Sequence, residues 1–174
     1  MEVVKKHKEE AHGPVKVSVI TISTSRYQKI LEGESVQDES GDKAIEMIKK
    51  AGHIVISKKI VNDDSEMIKN ELLKSIREEG ADVVIMIGGT GLSPRDVTIE
   101  TVQPLFDKVI SGFGEIFRMV SYQEIGAAAF LSRATAGTID KRLVFCLPGS
   151  PYAVITALNI ILGELNHAVY IAKG

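Results

Sequence analysis

The residues best suited to do chemistry form a glycine-rich segment that leads into an arginine and an aspartate. The segment follows the apolar run 83–87 and reads Gly88-Gly89-Thr90-Gly91-Leu92-Ser93-Pro94-Arg95-Asp96. Because glycine has no Cβ, its backbone N–H group approaches an anion closely. Arginine pairs with phosphate, and aspartate holds hard cations such as Mg²⁺. The segment therefore predicts a phosphate site, although a tight strand-to-helix turn with a solvated Arg95–Asp96 pair has the same local sequence.

The elements that would position this segment alternate between strands and helices. Apolar and β-branched runs predict strands at 15–22, 53–60, 83–87, 134–139 and 143–147. Helical periodicity and end signals predict helices at 42–51, 65–79, 98–106, 113–124 and 152–169, and residues 23–41 are predicted to be a long loop. This alternation is typical of an α/β fold, here a three-layer αβα domain with a mostly parallel central sheet. The last two strands would form its antiparallel edge.

Length and composition indicate a single globular domain. The chain has 174 residues, of which 44% are hydrophobic and 25% are charged. Residues 1–14 are predicted to be a charged arm and residues 15–174 the domain. The net charge of −2 argues against a nucleic-acid partner, and no apolar run approaches the roughly 20 residues that span a membrane. Because the first residues lack the apolar core of a signal peptide, we expect the protein in the cytoplasm.

Cysteine and histidine contribute no predicted site. The single cysteine, Cys146, lies in an apolar strand and is predicted to be an inert core thiol, so an intrachain disulfide is excluded. The four histidines have no zinc-binding spacing; they are His7, His12, His53 and His167.

Three loops follow predicted strands and would meet at the carboxyl edge of a parallel sheet. They are 62–64, 88–96 and 148–151. At this edge Asp63 and Asp96 would supply carboxylates for Mg²⁺, and substrate phosphates would complete its coordination. Backbone donors, a positive group and a hard cation together are what phosphate chemistry needs.

Local sequence gives some of these residues structural roles as well. One of Asp63 and Asp64 is expected to cap the helix that begins near Ser65. Ser150, followed by Pro151, is predicted to cap the last helix, which is compatible with anion binding at the same helix end. The P-loop motif and the G-x-S-x-G hydrolase elbow are absent, and a proline at position 94 breaks the dinucleotide fingerprint.

Four ordered motifs resemble the molybdenum-cofactor biosynthesis family that includes MogA, MoaB and the N-terminal domain of gephyrin. The first is the glycine segment extended to Thr98, which is similar to the family signature. The second, at 112–126, reads GFGEIFRMVSYQEIG and resembles the MoaB branch in particular. The third is LSRATAG at 131–137, and the fourth is LPGS at 147–150. The resemblance covers about residues 15–170.

The resemblance implies a molybdopterin adenylyltransferase. In that reaction the terminal phosphate of molybdopterin attacks the α-phosphate of ATP, pyrophosphate leaves, and adenylylated molybdopterin forms for later insertion of molybdate or tungstate. Asp63 and Asp96 are implied to be catalytic and to hold Mg²⁺. The resemblance assigns nucleotide binding to Gly88, Gly89, Thr90, Gly91, Ser93 and Arg95. It assigns molybdopterin binding to Ser132, Arg133, Pro148, Gly149 and Ser150, of which Ser132 rests on the resemblance alone.

One segment departs from the family pattern. Relatives often carry Ser-Asp-Arg or Ser-Asn-Arg after the first strand, whereas this chain has Ser-Thr-Ser-Arg at 23–26, so an acidic or amide contact is missing. The Arg-Asp-Val-Thr segment at 95–98 is intact. Its integrity favours a working enzyme over the alternative, a non-catalytic molybdopterin-binding carrier or scaffold. The segment 112–118 disfavours a third interpretation, the related domain of CinA-type proteins.

The resemblance also implies self-association and a partner protein. Family members form trimers, and MoaB-type proteins pair trimers into hexamers. Candidate contact residues are apolar and lie in one predicted helix: Phe113, Ile116, Phe117 and Met119. The same residues would also suit the core face of that helix. A downstream metal-insertion protein is the implied recipient of the product.

Overall fold

A six-stranded mixed sheet forms the centre of the fold in the computed structural model, which describes residues 13–174. The strands are β1 (Lys16–Ile22), β2 (Ile54–Val61), β3 (Val83–Ile87), β4 (Lys108–Val109), β5 (Thr135–Ile139) and β6 (Arg142–Leu147). Their spatial order is β2-β1-β3-β6-β5-β4, and β5 pairs antiparallel with both β6 and β4. The other pairings are parallel. The predicted parallel sheet with an antiparallel edge is therefore confirmed.

Helices cover both faces of this sheet. They are α1 (Thr24–Leu31), α2 (Glu39–Lys50), α3 (Ser65–Arg77), α4 (Thr98–Val102), α5 (Ser111–Ile125), α6 (Pro151–Ile161) and α7 (Leu165–Lys173). Buried apolar side chains of α2, α5, α6 and α7 pack on one face, and those of α3 and α4 pack on the other. Because each face loses water to a layer of helices, the central strands β3 and β6 are almost entirely apolar and buried. The three-layer αβα architecture is confirmed.

The predicted long loop at 23–41 is wrong, because it contains α1 and the first turn of α2. Ser23 caps α1 by accepting a hydrogen bond from the Arg26 backbone N–H at 3.4 Å. No residue of α1 is buried, so no apolar stripe marks the helix in the sequence. The second helix begins at Glu39 rather than at residue 42, since the buried Asp38 caps it through the Gly41 N–H at 3.1 Å.

Two further differences concern the C-terminal half. Strand β4 has only two residues and both are exposed, so no periodicity predicts it. The last helix, predicted at 152–169, is two helices separated by a 3₁₀ turn at Leu162–Glu164. The turn between β5 and β6 is a two-residue hairpin in which Asp140 (φ 49°) and Lys141 (φ 62°) take left-handed conformations, as a primed turn requires.

One stretch of the described residues, Pro151–Lys173, is long and apolar enough to cross a membrane. The expectation from the sequence that no such stretch exists was wrong. The stretch includes polar residues such as Asn159, but its mean hydropathy is still high. Val154, Leu158 and Leu165 of this stretch are buried in the core beside the sheet. The packing accounts for its apolar composition.

The predicted core thiol is confirmed. Cys146 lies in β6 with no exposed surface, and burial raises the pKa of its thiol to about 12. A thiol that stays protonated at neutral pH is a poor nucleophile. The predicted arm, residues 1–14, lies outside the described residues apart from its last two, as do His7 and His12.

Candidate active site

The three loops predicted to converge do meet at the carboxyl edge of the parallel strands. The Gly88 N–H donates to the Leu147 carbonyl at 3.0 Å, which joins the glycine segment to the end of β6. The Val97 N–H donates to Asp63 Oδ1 at 3.3 Å, which joins the loop after β2 to the loop after β3. A Cβ added at Gly149 would lie 3.4 Å from the Gly88 Cα. The three loops therefore lie next to one another at one edge of the sheet, as the sequence predicted.

Only glycine fits the backbone conformation and the space at position 88. Its φ is +101°, and a Cβ there would lie 2.4 Å from the Ile22 carbonyl oxygen at the end of β1. L-residues rarely adopt this conformation, and the close approach leaves no room for a methyl group. The turn therefore redirects the chain sharply from β3 across the edge of the sheet.

Thr98 anchors the glycine segment from its far end. Its buried side-chain hydroxyl donates to the Gly88 carbonyl at 2.9 Å, and its backbone N–H donates to the Gly89 carbonyl at 2.9 Å. Both ends of the segment are consequently attached to regular structure, β3 on one side and α4 on the other. Thr90 is buried within it, whereas Ser93 and Arg95 are exposed.

Asp63 and Asp64 have separate roles in the structure. Asp64 caps α3 by accepting from the Met67 N–H at 2.9 Å, which resolves the choice left open by the sequence. Asp63 instead faces the glycine segment, because a Cβ at Gly89 would lie 2.9 Å from its Oδ1. Burial raises the pKa of Asp63 above its usual value, and the charges of Asp96 and Glu100 raise it further against the effect of the Val97 N–H.

Asp96 lies on the same glycine segment. Its Oδ2 accepts from the Ser93 N–H at 3.1 Å, and a Cβ at Gly91 would lie 2.8 Å from that oxygen. Asp63 and Asp96 thus supply two carboxylates beside one Gly-rich turn. Within residues 13–174 no group of three or more metal-ligating side chains exists. Two carboxylates suit Mg²⁺ when phosphate oxygens and water supply its other ligands.

Arg95 is exposed next to this pair of carboxylates. Its guanidinium makes no ion pair with any residue in the described part of the chain. An exposed, uncompensated arginine at the mouth of a Gly-rich turn is available to an anionic ligand.

Ser132 and Arg133 border a neighbouring cavity of about 330 Å³. Other lining residues include Ile99 of α4, Gln103 of the 3₁₀ turn after α4, Arg118 of α5, and Phe130 of the turn before β5. The Arg133 guanidinium donates through Nη2 to Glu100 Oε1 at 2.5 Å. The segment predicted by resemblance to hold molybdopterin is therefore connected to the glycine segment through α4.

The Pro148-Gly149-Ser150 loop follows β6, the strand next to β3, and lies beside Gly88. Ser150 caps α6 as predicted, since its Oγ accepts from the Ala153 N–H at 3.2 Å and Pro151 takes the first helical position. The Ser40 hydroxyl donates to the Gly149 carbonyl at 2.7 Å. Sequence reasoning missed Ser40, which lies at the start of α2 and holds this loop from the opposite side of the crevice.

The segment that departs from the family pattern is the start of α1. Ser23 is used as the helix cap, and the Arg26 Nε donates to the Gln37 carbonyl at 3.0 Å. Asp38 follows at once and is buried, with its Oδ2 accepting from the Thr21 hydroxyl at 2.8 Å. A buried carboxylate of the chain therefore does lie beside the end of β1.

Comparison with known proteins decides between the families that share this fold. A family model described as "Probable molybdopterin binding domain" matches residues 18–167. The chain belongs to this family. The four motifs that suggested it all lie in or overlap the matched region.

Relatives of this molybdopterin-binding domain match it along nearly their whole length. A molybdenum cofactor biosynthesis protein B of Bacillus cereus is 46% identical over 169 residues, 96% of each chain. A Pyrococcus furiosus protein named molybdopterin adenylyltransferase is 46% identical over 174 residues, 98% of each chain. The crystal structure of the tungsten cofactor synthesizing protein MoaB from Pyrococcus furiosus matches with a TM-score of 0.83 and 44% identity, over 94% of this chain and 99% of that one.

Proposed function

We propose that the chain is a molybdopterin adenylyltransferase of molybdenum or tungsten cofactor biosynthesis. An oxygen of the terminal phosphate of molybdopterin attacks the α-phosphorus of ATP. A new P–O–P bond forms, the bond between the α-phosphorus and the β-bridging oxygen breaks, and pyrophosphate leaves. No covalent intermediate with the protein is required, so positioning and charge stabilisation supply the rate.

The observation that carries this proposal is the placement of Asp63 and Asp96 beside the same Gly-rich turn. Both carboxylates contact backbone N–H groups of the loop after β3, at 3.3 Å and 3.1 Å. The relative from Pyrococcus furiosus bears the name of this activity at 46% identity. A carrier protein that only binds molybdopterin would have no need of two carboxylates at a phosphate-binding turn.

Each part of the crevice then has a role. Backbone N–H groups of Gly88, Gly89, Thr90 and Gly91, together with Ser93 and Arg95, bind the phosphates of ATP. Asp63 and Asp96 would hold Mg²⁺, and the bound ion would supply positive charge that offsets the repulsion between two phosphate-bearing substrates. Ser132 and Arg133, before β5, and Pro148, Gly149 and Ser150, after β6, bind molybdopterin.

The proposal also states where the reaction takes place and what uses its product. Molybdopterin and ATP are small anionic substrates of the cytoplasm, where we place the reaction. The adenylylated product is a substrate for a protein that inserts the metal. The name of the Pyrococcus furiosus structure refers to tungsten and that of the Bacillus cereus relative to molybdenum, so both metals occur among relatives of similar identity.

Self-association into a trimer or hexamer is supported by an exposed apolar surface on α5 and the turn after it. Of the four predicted contact residues, Phe113 and Phe117 are buried in the core, whereas Ile116 and Met119 are exposed. Tyr122, Ile125, Phe130 and Leu131 extend the exposed surface. Contiguous apolar surface of this kind commonly marks a protein–protein interface. Light scattering after gel filtration measures the assembly, and a monomer at micromolar concentration would refute it.

The deciding experiment follows pyrophosphate release from Mg-ATP with and without molybdopterin, with the product identified by mass. Release that depends on molybdopterin, with one adenylylated molybdopterin per pyrophosphate, supports the proposal. Tight molybdopterin binding with neither product would favour the binding-protein alternative and would point to the departure at Ser23–Arg26.

A further inference from the structure

Glu100 links the helix that follows the glycine segment to Arg133. It lies in α4, whose first residue, Thr98, holds the glycine segment through two hydrogen bonds. Its Oε1 accepts a hydrogen bond from Nη2 of Arg133 at 2.5 Å. No motif in the sequence singles it out.

The Glu100–Arg133 ion pair restricts a side chain that would otherwise be free to reorient. Nη2 of Arg133 is 2.5 Å from Oε1 of Glu100, and the two side chains are 29% and 54% exposed. Arg133 is followed by the buried Ala134 and by β5, so its backbone is also held in place. An arginine has many rotamers, and a charged partner at a fixed distance selects among them.

A second guanidinium lies in the same cavity. Arg118 of α5 reaches back over Gly114, where a Cβ would lie 3.0 Å from its Nη1. It lines the cavity together with Ser132 and Arg133. Among residues 13–174 no carboxylate lies within ion-pair distance of Arg118. The cavity therefore contains two guanidinium groups of which only one is neutralised, and it favours an anion.

We infer that Glu100 is a positioning residue that orients Arg133, so that Arg133 and Arg118 together bind the phosphate-bearing molybdopterin. The inference rests on the proposed function, because it takes molybdopterin as the ligand of this cavity. Arg118 binds the anion directly, and Glu100 acts through Arg133. Two planar guanidinium groups match the oxygens of a phosphate better than one.

Equilibrium binding of molybdopterin to single and double variants tests the inference. The variants are Glu100→Gln, Arg133→Met, Arg118→Met, and the doubles that combine Glu100→Gln with each arginine change. Arg77→Met serves as the matched control, because Arg77 is an exposed arginine on α3 that pairs with Asp140. ATP affinity is measured in parallel, and thermal melting shows that each variant is folded.

Each arginine variant is expected to weaken molybdopterin binding about tenfold and to leave ATP affinity unchanged, and Glu100→Gln to weaken molybdopterin binding about two- to fivefold. Because Glu100 acts through Arg133, the double variant with Arg133→Met should bind no worse than Arg133→Met alone. The double variant with Arg118→Met should show both losses. A general loss of structure would weaken binding in both double variants, so it would not produce this difference between them.

Three outcomes would overturn the inference. Glu100→Gln could bind molybdopterin as well as the parent, its effect could add fully to that of Arg133→Met, or Arg118→Met could behave as Arg77→Met does. Failure of the proposed function looks different: a parent protein that binds molybdopterin but never transfers AMP refutes the transferase while leaving the binding cycle intact. A parent that binds no molybdopterin refutes both.

Discussion

Asp63 accepts a hydrogen bond from the backbone N–H of Val97, and the two atoms are 3.3 Å apart. Val97 immediately follows Asp96, so this one bond links the loop after β2 to the segment that carries the second carboxylate. The charge of Asp96 contributes to the raised pKa of Asp63. We expect the repulsion between these two neighbouring carboxylates to favour the binding of a cation between them.

Asp96→Asn should abolish turnover while preserving the fold. The asparagine side chain retains an oxygen for the Ser93 N–H but loses the charge that we propose holds Mg²⁺. We expect the rate of pyrophosphate release to fall roughly a hundredfold or more, with an unchanged melting temperature. The matched control is Asp64→Asn, which keeps a good helix cap at α3 and should retain activity. A rate for Asp96→Asn within a few-fold of the parent would remove Asp96 from catalysis.

The crevice could be predicted because its residues follow buried strands. Asp63, Gly88 and Pro148 each come directly after the apolar end of a parallel strand or one residue later. The carboxyl ends of the parallel strands lie at one edge of the sheet. Residues that directly follow these strands are therefore expected to lie close together. The choice between Asp63 and Asp64 could not be made in this way, because adjacent aspartates are equally good caps until the backbone is known.

Other parts depend on contacts that no local pattern records. Ser40 reaches Gly149 across the crevice, and Glu100 reaches Arg133 from another layer of the fold. Each is an ordinary polar residue in a helix, and only tertiary structure gives it a partner. Helix α1 was missed for a related reason: it has no buried face, and periodicity detects only helices that have one.

Magnesium should bind weakly to the free protein and more tightly with ATP. The described residues offer two carboxylates and no larger set of ligands, so phosphate oxygens must complete the coordination. Titration calorimetry should show Mg²⁺ affinity about tenfold or more higher in the presence of ATP. Linkage requires ATP to gain the same factor from Mg²⁺, and chelation with EDTA should stop the reaction. Equal affinity for ATP with and without Mg²⁺ would contradict the assignment of Asp63 and Asp96.

Gly88→Ala should destabilise the fold as well as the site. The alanine would have to adopt a φ near +101° with its Cβ 2.4 Å from the Ile22 carbonyl, or else move the end of β1. We expect a loss of about 3 kcal/mol or more in the free energy of unfolding. Gly52→Ala is the matched control, because Gly52 also has a positive φ but no atom lies within 4 Å of the added Cβ.

The control isolates conformational strain, which should cost about 1 kcal/mol by itself. Urea denaturation of the two variants and the parent measures the difference. Equal losses at Gly88 and Gly52 would show that the close approach to Ile22 contributes nothing.

Asp82→Asn tests a charge that stabilises the fold away from the crevice. Asp82 Oδ1 lies 2.7 Å from Arg142 Nη1 and 2.8 Å from Lys173 Nζ, and Oδ2 accepts from the Lys16 N–H at 3.1 Å. Burial alone would raise the pKa of Asp82, but the Lys173 hydrogen bond, the Lys16 N–H and the two positive charges hold it below its usual value. The ionised form is therefore favoured in the folded state.

The pH dependence follows from this direction. A carboxyl whose pKa is lowered by folding contributes stability above the pKa of the unfolded chain and loses it as the pH falls through the folded pKa. Asp82→Asn should therefore cost roughly 1–2 kcal/mol at pH 7, and the difference from the parent should vanish in acid, where both side chains are neutral. Asp42→Asn is the control, because the Asp42 side chain is 66% exposed in its pair with Lys58 and should matter little. Urea denaturation across the acid range measures both, and a difference for Asp82→Asn that persists at low pH would show that hydrogen-bond geometry rather than charge is responsible.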